Sequence, residues 1–309
     1  MAPLRLMITG ANGFVGRKVT EAVRGHEGLE LVDFIDDATG ASPDIAEASA
    51  VERAVLAANP DRVLHLAAIA APRQAQADAS RAWAVNFSGT LNLAQALIKH
   101  RPDARLVWSG SSEAYGASFN RGPLPLSETS ALEPANVYGA TKAAADIALG
   151  QLGRSGALDT VVLRPFNHTG AGQAADYVVP AFAAQIAAIE KGEQEPVLKV
   201  GNLDALRDFL DVEDVVALYI AALLAEGPVG GEAYNVSTGQ PVRIGDLLEG
   251  LLSAARVKIS VETDPARYAP NAVPVASGNP DKARERFGWA PKIPIQTTLK
   301  SVLEGLRAL

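Results

Sequence analysis

The chain has no cysteine. That absence excludes disulfides, thiol nucleophiles and thiolate metal sites. Histidine is scarce too: His26, His65, His100 and His168 are scattered without metal-ligand spacing, so no metal centre is expected. Positive charge is in deficit. The formal net charge of -7 argues against nucleic acid or an anionic membrane as the main partner. An anionic small substrate would therefore need cations placed locally. Long hydrophobic runs are missing as well. The longest apolar helical stretch, Val215 to Ala225, lies between Asp214 and Glu226; it is too short to span a bilayer and reads as a buried helix. The opening segment MAPLRLMITG has no signal-peptide pattern. Together with the absence of cysteine, this makes a cytoplasmic setting the expectation. No internal repeat or low-complexity tract is present.

What is there is enough for a large core. With 309 residues, 48% of them apolar, the chain is expected to fold as a globular protein of two lobes. Its first half alternates short apolar runs with helical patterns. Strands are predicted at Leu4–Thr9, Glu30–Ile35, Arg62–Leu66, Arg105–Ser109 and Thr160–Leu163, and helices near 14–24, 49–58, 83–100 and 136–153. Such alternation predicts an α/β fold with a doubly wound parallel sheet. The runs LRLMIT and RLVWSG lack clean alternation, as strands buried on both faces should. After Pro165 the regular alternation is lost. Residues 1–165 are read as a nucleotide-cofactor lobe and 166–309 as mainly a smaller α/β lobe for the second ligand, with segments near 208–237 returning to the first.

Three segments carry chemistry. Strand Leu4–Thr9 runs straight into Gly10-Ala-Asn-Gly13-Phe-Val-Gly16 and then a helical pattern. Glycines allow a tight turn and close backbone approach, and the helix start offers free N–H groups to a pyrophosphate. The segment NVYGATKAAAD places Tyr138 and Lys142 four residues apart, which stacks them on one helix face. An ammonium beside a phenol favours the phenolate, so the tyrosine pKa is expected to fall. A phenol so tuned can give a proton to a carbonyl oxygen or take one from an alcohol. The third segment, SGSSEAYG, follows Arg105–Ser109 at the carboxyl end of a strand, where α/β sheets bind their ligands. A serine hydroxyl there can donate to a reacting oxygen that gains negative charge.

The Gly-x-x-Gly-x-x-Gly turn together with Tyr-x-x-x-Lys resembles the extended short-chain dehydrogenase/reductases, a Rossmann-fold family acting largely on nucleotide sugars. The resemblance covers nearly the whole chain. It implies a catalytic set of Ser111, Tyr138 and Lys142, with Ser112 as the alternate hydroxyl. Glu113 stands where the family's dehydratases carry a base. Around the cofactor it implies Gly10, Gly13, Phe14, Val15 and Gly16, then Asp44 and Ile45 at the adenine, Leu66, Ala67 and Ala68 after the third strand, Asn86 in support, and Pro165 and Phe166. Asp36, or Asp37, is taken as the acid closing the second strand, on the ribose hydroxyls; this favours NAD(H), with NADP(H) as the alternative. His65 reads as a core residue.

The segments RPFNHTG and VGNLDALRDFLDVEDVV resemble those of GDP-4-keto-6-deoxy-D-mannose reductases. The implied reaction is reduction of the C4 ketone of a GDP-linked 6-deoxyhexose, with a 4,6-dehydratase, a 4-epimerase retaining NAD and, remotely, a non-catalytic regulator as rivals. Asn167, His168, Arg207 and Arg267 are implied at the substrate, the two arginines as bidentate partners of a diphosphate. Departures are Ala171, where the family has Pro, and Ala269 and Ala272, where relatives carry Arg and Asp. A homodimer is also implied, with the Tyr138 helix and the helix near 85–100 packed against their mates.

Overall fold

The computed structural model describes residues 2–267 and 273–309, with the side chain of Arg267 outside that description. Five strands, β1 (Leu4–Thr9), β2 (Leu29–Val32), β3 (Arg62–His65), β4 (Arg105–Ser109) and β5 (Asp159–Pro165), join a sixth, Ala233–Val236. Across the sheet the order is sixth, β5, β4, β3, β1, β2, and every neighbouring pair is parallel. Successive side chains leave opposite faces. Leu6, Ile8, Leu64 and Val107 therefore enter one core with Val19 and Val215. Met7, Val63, Leu106 and Trp108 enter the other with Val55, Leu97 and Leu149. Helices Phe14–Val23 and Val212–Leu224 cover the first face; Ala48–Ala58, Gly89–His100 and Val137–Arg154 cover the second. This is the doubly wound Rossmann sheet expected from the alternation, and burial on both faces explains its near-continuous apolar strands.

The direction of winding reverses on either side of β1, and that switch point places the crevice at the carboxyl ends of β1 and β3. A separate core, including Phe182, Ile186, Leu247, Leu251, Leu299 and Val302, is built by helices Val178–Glu190, Ile244–Ser253 and Ile295–Arg307. The C-terminal segment ties back to the first face: Trp289 Nε1 donates to Asp214 O at 2.9 Å, and the Lys292 and Ile293 amides donate to the Asp214 carboxylate. Among the described residues, no helix is long and apolar enough to cross a membrane.

Two elements differ from their prediction by more than a residue or two at an end. β2 ends at Val32, not Ile35; Phe34 is buried without ladder bonds and the chain closes a tight loop through an Asp36–Ala41 bridge. The helical pattern near 83–100 is broken by a π-turn at Ala84–Ser88, which turns Asn86 into the interior.

Candidate active site

The glycine turn fits a pyrophosphate by its own geometry. Gly10 has φ +76°, and a Cβ there would meet Ala67 N at 2.7 Å; a Cβ on Gly16 would collide with the Gly10 carbonyl oxygen. The helix that begins at Phe14 and Val15 has no side-chain cap and no acid in its first turn. Its free N–H groups and positive end therefore remain available to an anion. Leu66 and Ala67 close the other side of the crevice, donating to Thr9 O at 3.1 Å and Thr9 Oγ1 at 3.3 Å, and Ala68 follows. Asp44 holds its own loop, accepting from Ala46 N and pairing with Arg81 at 2.6 Å. Ile45 packs against Gly89, whose missing Cβ makes room for it.

Asp36 already has a partner within the chain. Because β2 stops at Val32, the acid at the strand end is Asp33, which is exposed. Asp36 is buried and receives Arg53 through both carboxylate oxygens at 2.7 Å. The Arg53 hydrogen bond outweighs burial and holds its carboxyl down at about 2. Asp37 is exposed beside it.

The catalytic candidates converge. Asn136 caps the helix Val137–Arg154, accepting from Gly139 N at 2.8 Å, and its amide donates to Glu113 Oε2 at 3.0 Å. Gly139 lets the helix press on the turn at Ser111–Glu113, since a Cβ there would meet Glu113 O at 2.6 Å. The Ser111 hydroxyl accepts from Glu113 N at 3.1 Å and hydrogen-bonds the Tyr138 phenol. Of the two serines, then, the structure brings Ser111 to the tyrosine; Ser112 lies half-buried in the following turn. Lys142 is buried, donates to Ser109 O at 2.7 Å, and lies 4.8 Å from the Trp108 ring centroid and 6.0 Å from that of Tyr138.

Electrostatics reverse one expectation. Tyr138 is not pulled toward neutrality. Burial pushes its pKa up, the Ser111 hydrogen bond opposes this, and the Glu113 charge adds to the rise. The lysine is what moves toward neutrality: burial lowers Lys142 to about 7. Desolvating a charged form costs more than the remote partner returns, for phenolate and ammonium alike.

On the substrate side, Asn167 is exposed at the start of strand Asn167–Thr169, which pairs with Phe209–Asp211. His168 faces the Phe166 carbonyl through Nδ1 at 3.1 Å, and burial lowers its pKa. Pro165 and Phe166 are buried, and the Phe166 ring stacks among Tyr115 and Phe119, so its side chain belongs to the core beneath the site. Arg207 is half-buried, donates to Leu206 O at 2.8 Å, and feels the Glu113 charge. The side chain of Arg267 and the positions of Ala269 and Ala272 lie outside the described residues.

Sequence reasoning missed three neighbours. Tyr177, at the start of the helix Val178–Glu190, acts electrostatically on Tyr138 from the second lobe; no local pattern marks it. Tyr219 hydrogen-bonds Ser109 Oγ at 2.8 Å from the other face of the sheet. Asn136 was findable, since Asn directly before a helical run is a strong N-cap signal.

A parallel nucleotide-binding sheet with a serine, tyrosine and lysine at its carboxyl edge defines a dehydrogenase-type site. Residues 6–237 match the model of the NAD dependent epimerase/dehydratase family, and the chain belongs to that family, as an extended short-chain oxidoreductase acting on nucleotide sugars. It is 34% identical to a GDP-6-deoxy-D-mannose reductase of Pseudomonas aeruginosa over 97% of this chain and 96% of that one. A solved structure of RMD from Pseudomonas aeruginosa complexed with NADPH superposes with a TM-score of 0.89 at 31% identity, covering 99% of each chain. A Thermus thermophilus UDP-glucose 4-epimerase complexed with NAD gives 0.82 at 27%, covering 98% and 99%.

Proposed function

We propose that this chain reduces the C4 ketone of a nucleotide-linked 6-deoxyhexose, converting GDP-4-keto-6-deoxy-D-mannose to GDP-D-rhamnose. The observation that carries the reading is Tyr138, kept protonated by burial and hydrogen-bonded to Ser111, with Arg207 in electrostatic reach of the adjoining Glu113. The similarity to a GDP-6-deoxy-D-mannose reductase supports the substrate. Bound NADH or NADPH supplies the hydride. Tyr138 gives its proton to the C4 oxygen, Ser111 donates a hydrogen bond to the same oxygen, and Lys142 adds positive charge nearby. Arg207 holds the diphosphate, aided by Asn167. Arg53 pairs with Asp36 while Asp33 and Asp37 stay exposed, and the similar RMD structure holds NADPH, so the reading keeps both reduced cofactors. The test supplies the 4-keto sugar with NADH or NADPH and follows the reduced-nicotinamide absorbance. No consumption with either cofactor overturns the assignment.

The position of Glu113, held by Asn136 and facing Tyr138, favours a dehydratase as the second reading. The variant Glu113→Gln separates the two. As a reductase, the enzyme should keep turnover within about tenfold; a dehydratase losing its base should lose about 10² or more on GDP-mannose.

The same reading includes a homodimer. Ile147 is 61% exposed on the tyrosine helix, and Trp83 is 39% exposed beside Phe87 at the head of the neighbouring one. Apolar faces of this kind mark association surfaces. Ile147→Glu is expected to convert a dimer to a monomer in light scattering; an unchanged mass would remove this face from consideration.

A further inference from the structure

Beneath the site runs a line of buried polar side chains, joined at Asn86 through its backbone carbonyl. Thr9, His65, Asn86, Thr90 and Thr141 are each at most 1% exposed. At one end, Ala67 N donates to Thr9 Oγ1 at 3.3 Å, directly behind the contact between Gly10 and Ala67. Thr9 Oγ1 meets His65 Nδ1 at 2.6 Å, and His65 Nε2 meets Thr90 Oγ1 at 3.0 Å. Thr90 Oγ1 donates its one proton to Asn86 O at 2.7 Å. His65 must therefore donate from Nε2 and accept from Thr9 at Nδ1, so its neutral tautomer is fixed by its partners. Asn86 continues the line. It accepts from Ile69 N at 2.8 Å and donates to Ile69 O and to Thr141 Oγ1, both at 3.1 Å. Thr141, between the two catalytic candidates on their helix, donates to Tyr138 O at 2.8 Å.

We propose that His65 is a positioning residue for the reaction: through Thr9 on one side and Thr90, Asn86 and Thr141 on the other, it sets the registry between the glycine turn and the helix that carries Tyr138. The imidazole, at the end of β3, joins Thr9 of β1 to Thr90 of the helix Gly89–His100, and the Thr90 hydroxyl in turn bonds the π-turn at Asn86 O. A fully satisfied buried network holds one geometry and rejects partial substitutes. The π-turn belongs to the same device, because it is what turns Asn86 inward to meet both Ile69 and Thr141. Burial and the nearby Lys142 charge keep His65 neutral, at about 3, so the line does not switch with physiological pH.

The inference rests on the reductase reading for its kinetic consequence, but not for its structural one. His65→Leu removes both hydrogen bonds; His65→Gln can span the two threonine hydroxyls again with its amide. At saturating ketone and cofactor, kcat of the Leu variant should fall roughly 10–100-fold, the range expected when reacting groups are slightly misplaced, while KM for the sugar moves less than about threefold. The Gln variant should recover most of the loss. In parallel, hydrogen exchange at the Ala67 and Ile69 amides should quicken at least about tenfold in the Leu variant and return in the Gln variant. Wild-type kcat in a folded Leu variant, or Gln performing no better than Leu, overturns the proposal. Absent wild-type turnover counts against the substrate assignment alone. The exchange measurement then decides: quickened exchange restored by Gln supports the line, and unchanged exchange sinks it.

Discussion

Tyr138→Phe should bind cofactor with near-normal affinity and turn over about 10² or more slower, the usual weight of a positioned general acid. The substitution keeps the ring and removes the hydroxyl that, in the proposed reaction, protonates the C4 oxygen. The structure makes the tyrosine a proton donor rather than a base at neutral pH. Burial and Glu113 both raise its pKa, and the Ser111 hydrogen bond opposes them without restoring the ordinary value. The oxygen gains negative charge as hydride adds, and a protonated phenol placed beside it can deliver the proton as that charge develops. It follows that the acid form persists through pH 7–9, and no fall in reduction over that range should trace to this group. Cofactor affinity by nicotinamide fluorescence and kcat with the 4-keto sugar check the two halves. Near-wild-type kcat with intact binding would show that another group delivers the proton.

The sheet and the glycine turn were legible because they are local. LRLMIT followed by three glycines spells a buried strand and a phosphate turn within sixteen residues, and the structure places both at the switch point. Ser111, Tyr138 and Lys142 were legible as a motif, and the structure brings them together. What was hidden depends on contacts between distant segments. The end of β2 was misjudged because Phe34 and Ile35 continue an apolar run whose backbone has already left the ladder; hydrophobicity records burial, not pairing. The partner of Asp36, Arg53, lies on the next helix. The π-turn was invisible because one inserted residue barely disturbs a 3.6 period. The direction of the Tyr138 pKa was misread for a related reason: spacing showed a lysine nearby, while the depth of the site, which decides the sign, is set by the whole fold.

Lys142→Met should abolish most activity and yet stabilise the fold in a pH-dependent way. Burial lowers the lysine from its ordinary 10.5 to about 7. Below that value both folded and unfolded chains hold the proton, and the folded one carries the full cost of a buried ammonium. Between about 7 and 10.5 the unfolded chain binds more protons than the folded one, so stability rises with pH across this window. At roughly 1.4 kcal/mol per pKa unit, the cost at pH 6 is on the order of 4–5 kcal/mol. Loss of the hydrogen bond to Ser109 O offsets about 1–3 kcal/mol of it. A methionine of similar length should therefore gain on the order of 1–4 kcal/mol at pH 6, or about 2–6 °C in Tm. By pH 10 the gain should vanish or reverse, because the wild-type lysine is then neutral in the fold and only the lost hydrogen bond remains. Thermal melts of both proteins at pH 6 and pH 10 check the sign. A methionine variant less stable at pH 6, or equally stabilised at both pH values, would show that the ammonium is not held at a cost. Activity should drop about 10² or more below about pH 7, where the wild-type ammonium stands beside the proton donor. Stability gained where function is lost would mark Lys142 as a residue kept for chemistry against the interest of the fold.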